Sequence, residues 1–248
     1  MNWLLFRGLA REQRHWGDFG GIFCDTVPGA RAHFLDFPGV GTENDRPCPA
    51  TVAEIREDLR RRWLDLRDEH DGPWAILGVS LGGMVSMDWC AAHPGDFERL
   101  VVGNTSTGDL SAAHRRLSLD VVPQLLSAIF EADPVARERR VLGFTSHLCE
   151  DPDATARRAA QIAESAPIRR RTVFKQLLAA ARFTTPAHIE PPTLILASAR
   201  DAMADPTCAL RLARHFEAPL VVHPTAGHDI GLDAPQWMAR QIANWVGL

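Results

Sequence analysis

Six short apolar runs, each followed by a longer polar or amphipathic stretch, pace this 248-residue chain and leave few folds open to it. The runs are Trp3–Phe6, Ala32–Asp36, Trp74–Val79, Leu100–Gly103, Thr193–Ala197 and Leu220–His223. Runs this short and this continuously apolar suit strands covered on both faces, and such strands separated by helical stretches build a parallel sheet with helices on either side. Between the second and third runs, Thr51 and Glu54 have the spacing of a capping box, and Val52, Ile55, Leu59, Trp63 and Leu66 form one apolar stripe. After the last run, Pro235–Val246 predicts a closing helix that buries Trp237, Ile242 and Trp245. Trp16 and Trp89 read as core residues too.

One region breaks the alternation. From Asp109 to about Pro186 the pattern is helical and contains no good strand. Pro134, Pro152 and Pro167 stand at first-turn positions that divide it into about four helices. It reads as an insertion between the fourth and fifth strands. The expected division is a core of residues 1–108 and 187–248 with a helical cap of residues 109–186. The insertion carries a net charge of +3 against −7 for the remainder, and arginines on helices read first as a solvated face.

Composition narrows the function classes. An apolar content of 46% over this length supplies a large core without disulfide or metal support. A net charge of −4 gives no support to nucleic-acid binding as the main activity. The five cysteines are scattered, odd in number and without a C-x-x-C pair, which suits free thiols in a reducing compartment better than disulfides or a zinc site. Only four apolar residues in a row precede Arg7, too few for a signal-peptide core, and no run approaches a membrane span. The expectation is a cytoplasmic protein whose partner is a small-molecule substrate, with no metal, organic cofactor, membrane or nucleic acid implied. Oligomeric state is not legible.

The third run passes directly into Gly78-Val79-Ser80-Leu81-Gly82-Gly83. This is the G-x-S-x-G layout in which a strand turns sharply into a helix with a serine hydroxyl at the apex, the glycines being demanded by close backbone approach. A serine needs a base to take its proton, and that base is normally a histidine oriented by a carboxylate. Among ten histidines, His228 in Thr225-Ala226-Gly227-His228-Asp229 lies just beyond the last strand, at the sheet edge where ligands of such folds converge. Asp201, just after the fifth strand, is the first carboxylate candidate, Asp205 the second and Asp229 the third. Oxyanion donors are expected from the backbone N–H groups of Leu81 and of Leu9, in the turn after the first strand.

With these residues in place the sequence resembles the α/β-hydrolase fold family over nearly its whole length. GVSLGG is similar to the family's elbow, Asp36-Phe37-Pro38-Gly39-Val40-Gly41 to its D-x-P-G-x-G loop, and ASARD and AGHD to its acid and histidine segments. The resemblance implies six parallel strands in the order 2-1-3-4-5-6, with the family's first antiparallel strands absent. The family usually carries His-Gly at the oxyanion turn where this chain has Arg7-Gly8. Arg7 there could contact substrate, brace the turn or form a structural salt bridge. A serine at the elbow argues against the dehalogenases and epoxide hydrolases of the fold, which carry aspartate. Gly-Val-Ser-Leu-Gly-Gly-Met and Gly103-Asn104-Thr105 resemble enol-lactone hydrolases and bacterial carboxylesterases. The implied activity is hydrolysis of a small ester or lactone by Ser80, His228 and Asp201. Thioesterase, carbon–carbon hydrolase and menaquinone-pathway lyase activities remain alternatives, as does a ligand-binding protein without turnover, because fold does not choose among them.

Overall fold

The computed structural model describes residues 1–247. Its six strands, β1 (Asn2–Phe6), β2 (Arg31–Phe34), β3 (Trp74–Val79), β4 (Arg99–Gly103), β5 (Thr193–Ser198) and β6 (Leu220–His223), form one sheet in the order β2-β1-β3-β4-β5-β6. Every pairing is parallel. Phe6 aligns with Gly78, Val79 with Gly103 and Ser198 with His223, so the carboxyl ends of the strands open onto one edge.

Alternate side chains divide between two cores, as the two-residue period of a strand requires. Leu4, Phe6 and Ile76 point to one face, where they meet helices α2 (Val52–Asp68), α3 (Leu81–Ala92) and α9 (Thr207–His215). Trp3, Leu5 and Leu77 point to the other, against α1 (Phe19–Thr26) and α11 (Pro235–Val246). The expected stripe of α2 is buried at Val52, Ile55, Leu59 and Trp63, and Trp63 sets its ring edge-on against Trp74 and Trp89 at centroid distances of 5.7 Å. Thr51 caps this helix at the Glu54 N–H.

Three expectations need correction. The second strand ends at Phe34 rather than Asp36, because the Asp36 carboxylate accepts from the backbone N–H groups of Gln13 and Thr42 and draws the chain out of the sheet. In α11 the buried residues are Met238, Ala239 and Ile242. Trp237 and Trp245 are only partly covered, Trp237 edge-on to His223 and Trp245 beneath the Arg99 guanidinium, so their polar-edged rings flank the core. Finally, five helices rather than four lie between β4 and β5: α4 (Ala113–Arg116), α5 (Val122–Phe130), α6 (Pro134–Thr145), α7 (Pro152–Ser165) and α8 (Arg170–Arg182). Pro134 and Pro152 do open helices, behind the caps Asp133 and Asp151. Pro167 does not; it lies in the link before α8, whereas Pro123 sits in the first turn of α5. A single helical turn such as α4 is too short to leave a periodic signal.

Helix α6 packs against α5 and α7, and α8 packs against α3. The last short helix, α10 (Ile230–Asp233), follows β6 and leads into α11. All five cysteines are free thiols. Among the described residues, no helix is long and apolar enough to cross a membrane.

Candidate active site

Ser80 stands at the apex between β3 and α3 with φ 57° and ψ −120°, a conformation that a non-glycine residue adopts only where the surroundings enforce it. The enforcement is visible. The Ser80 N–H donates to the Gly103 carbonyl at 2.8 Å, and its own carbonyl accepts from the Thr105 hydroxyl at 3.0 Å. A Cβ on Gly82 would come within 2.6 Å of the Phe6 carbonyl oxygen and 2.7 Å of that of Arg7. The helix therefore starts so close to the end of β1 that only glycine fits.

The histidine expected from the last loop reaches this serine. His228 Nε2 lies 3.0 Å from Ser80 Oγ, and its Nδ1 lies 2.7 Å from Asp201 Oδ2. The other Asp201 oxygen accepts from the N–H groups of Met203 and Ala204 at 2.8 and 2.9 Å, which fixes the carboxylate while it faces the imidazole. Burial works against a charge on His228, but the negative charge and hydrogen bond of Asp201 outweigh it and raise the imidazole above its ordinary 6.5. The second candidate, Asp205, faces away and bonds Arg115 and Thr207. The third, Asp229, pairs with Arg7 instead.

The turn Arg7-Gly8-Leu9 lies directly over the serine: a Cβ on Gly8 would stand 3.1 Å from the Ser80 Cβ. Among the described residues the Leu9 and Leu81 N–H groups have no acceptor, so both are available to an oxygen placed beside Ser80. Of the alternatives for Arg7, the structure shows a salt bridge to Asp229, with bonds of 3.0 and 2.6 Å.

Asn104, which in the sequence stands out only within the resemblance, ties the site together. Its carboxamide donates to the carbonyls of His228 at 2.8 Å and Gly227 at 3.2 Å and to Ser198 Oγ at 3.0 Å, while its oxygen accepts from the Ser198 N–H at 2.8 Å. Asp233, which belongs to no sequence motif, acts likewise. It accepts from the N–H groups of Gly227 and His147 at 2.7 and 2.8 Å, and so joins the histidine loop to the end of α6. The Asp229 N–H donates to the Thr145 carbonyl at 2.8 Å and repeats that link. Long-range partners of this kind have no spacing that a linear motif could report.

Ser80 and His228 open into a cavity of about 240 Å³. Its walls are mainly apolar, from Leu9, Leu125, Ile129, Val141, Phe144 and Met203. The buried pair Arg11–Glu138, 2.5 Å apart, adds a polar side. A serine hydroxyl, an imidazole, a carboxylate and two unpaired N–H groups around a small apolar cavity form an arrangement with the chemistry that acyl transfer requires.

Comparison with known proteins bears on the family and the fold. Residues 4–241 match the model of the alpha/beta hydrolase family. Over 125 residues the chain is 29% identical to the pimeloyl-[acyl-carrier protein] methyl ester esterase of Chromobacterium violaceum, an alignment spanning 47% of this chain and 46% of that protein. In structure it is similar to a thermophilic esterase from Thermogutta terrifontis (TM-score 0.76, 21% identity, 100% of this chain and 89% of that one). It is similar as well to the enol-lactonase from Burkholderia xenovorans LB400 (TM-score 0.77, 18% identity, 100% and 92%). With the family match running almost from end to end, the chain belongs to the alpha/beta hydrolase family.

Proposed function

We propose that this protein is a serine hydrolase that cleaves a small carboxylic ester or lactone. The observation that carries the reading is the unbroken hydrogen-bonded line from Ser80 through His228 to Asp201, at 3.0 and 2.7 Å, beside two N–H groups free to receive an oxyanion. In this reading the Ser80 oxygen attacks the carbonyl carbon while His228 takes the hydroxyl proton and Asp201 steadies the imidazolium. The carbonyl oxygen becomes an oxyanion held by the Leu9 and Leu81 N–H groups, each such donor lowering the barrier by roughly 3 kcal/mol. Collapse of the tetrahedral adduct breaks the ester bond, and His228 hands its proton to the leaving alkoxide. A water then repeats the sequence on the acyl-serine and releases the acid. Residues 109–186 serve as the cap, because α5, α6 and α8 contribute Leu125, Val141 and Val173 to the cavity wall. The cavity volume suits a small acyl or lactone substrate.

The test is labelling by a fluorophosphonate probe together with turnover of p-nitrophenyl acetate. Wild type is expected to label and to turn over many times, and Ser80→Ala to do neither at an unchanged melting temperature. One slow acylation without turnover would replace the hydrolase with a ligand-binding protein.

A further inference from the structure

Arg7 directly follows β1 and opens the turn Arg7-Gly8-Leu9 that lies over Ser80. Its guanidinium grips both carboxylate oxygens of Asp229, Nη1 to Oδ1 at 3.0 Å and Nη2 to Oδ2 at 2.6 Å, from the opposite end of the sequence. The two side chains are only 5% and 14% exposed. The Trp16 ring backs the guanidinium at 4.8 Å. Gly231 packs against both, where a Cβ would stand 2.8 Å from Trp16 and 3.4 Å from Arg7 Nη1. Each member adjoins a working group. Arg7 immediately precedes Gly8 and Leu9, and Asp229 immediately follows His228. Asp229 is further fixed through its own N–H to Thr145 and by capping the Leu232 N–H.

We propose that Arg7 and Asp229 are a positioning pair, a two-pronged ion pair that holds the Leu9 oxyanion donor and the His228 base in register at the sheet edge. The proposal rests on the hydrolytic reading of Ser80, His228 and Asp201. A planar guanidinium bonded through two parallel N–H groups fixes orientation as well as distance, which a single ammonium cannot do. The pair also acts on the imidazole. Asp229 favours its charged form and Arg7 disfavours it, so the intact pair leaves Asp201 in control. Other titratable groups close by are accounted for: Arg11 pairs with Glu138 at 2.5 Å, and His15, beside Glu12, is pushed well below its ordinary value by burial and so stays neutral. Arg11 acts on Asp229 in the same sense as Arg7. Loss of one member of the pair exposes His228 to the other.

The full-length variants Arg7→Met, Arg7→Lys and Asp229→Asn test this through NMR titration of the His228 imidazole, kcat and KM for p-nitrophenyl acetate, and melting temperature. The titration midpoint is expected to rise by about half a pH unit or more in Arg7→Met and to fall by a similar amount in Asp229→Asn. In both, kcat falls about 30-fold with KM within about threefold of wild type. Arg7→Lys restores the midpoint but not kcat, and where Arg7→Met fails to fold it carries the test alone. Midpoints unmoved or displaced in the same direction in the folded single variants overturn the proposal, as does wild-type kcat in Arg7→Lys. Because the titration needs no turnover, an inactive wild-type protein would sink the hydrolytic reading and still leave the ion pair's effect on His228 measurable.

Discussion

Replacing Asn104 by alanine tests whether one buried carboxamide holds the active end of the sheet together. The substitution strands three groups that the structure shows paired: the Ser198 N–H and the carbonyls of Gly227 and His228. The Ser198 hydroxyl can rotate to another partner, so it is left out of the reckoning. At about 1 kcal/mol for each hydrogen bond lost, the stranded groups amount to about 3 kcal/mol. Asn104 also has φ 44°, where asparagine is tolerated better than alanine by roughly 1 kcal/mol. The expected loss is therefore about 4 kcal/mol, read by urea unfolding with tryptophan fluorescence, or a fall in melting temperature of about 8–16 °C for a chain of this size. Asn104→Gly removes the same bonds without the backbone cost, and should recover roughly 1 kcal/mol of the deficit. Because the His228 carbonyl loses its anchor, kcat for p-nitrophenyl acetate should fall about 100-fold in both. A loss below about 1 kcal/mol with wild-type kcat would refute the reasoning, since the histidine loop would then be held by other contacts.

The remaining predictions bear on the carboxylates and on pH. Asp201→Asn should lower kcat by about 10³–10⁴, because an amide donor selects the wrong tautomer of His228, while Asp205→Asn should keep wild-type activity; the reverse order would move the carboxylate assignment. Asp201 holds His228 above its ordinary 6.5 against the opposing effect of burial. If the neutral imidazole acts as the base, as proposed, kcat/KM should rise with pH through a midpoint above 6.5, and a wild-type midpoint below that value would contradict the assignment. Stability has its own pH window. Burial, aided by the charges of His70 and Arg31, pushes His33 down to about 4 from 6.5. Between those values the unfolded chain binds more protons than the native one, so this contribution to stability is present above 6.5 and is lost as pH falls toward 4. His33→Asn should narrow the difference in melting temperature between pH 7 and pH 5, and an unchanged difference would count against it.

Local chemistry explains which parts of this architecture could be read in advance. The strands Trp74–Val79 and Leu220–His223 and the helix Pro235–Val246 match their expected bounds because apolar runs, turn residues and a first-turn proline are all signals confined to a few positions. That Ser80, His228 and Asp201 meet could be read for a related reason: each follows a strand that ends on the same edge, so sequence position implies spatial convergence. The end of β2, the single turn of α4 and the link at Pro167 were not legible. Each depends on partners supplied from elsewhere, as when Gln13 and Thr42 draw Asp36 out of the sheet.

Taken alone, the order of residues determined the parallel sheet, its helical layers, the serine elbow and the loops that carry His228 and Asp201. Those features arise from interactions between near neighbours, whose periodicity and spacing survive in one dimension. Tertiary structure decided which carboxylate meets His228, what Arg7 grips and what fastens the histidine loop. Asp201, Asp205 and Asp229 are chemically alike, and only the direction of each backbone at the sheet edge separates them. The bonds from Asn104 to residues 198, 227 and 228 form because folding brings strands β4 and β5 and the last loop together in space, a meeting that no local pattern encodes.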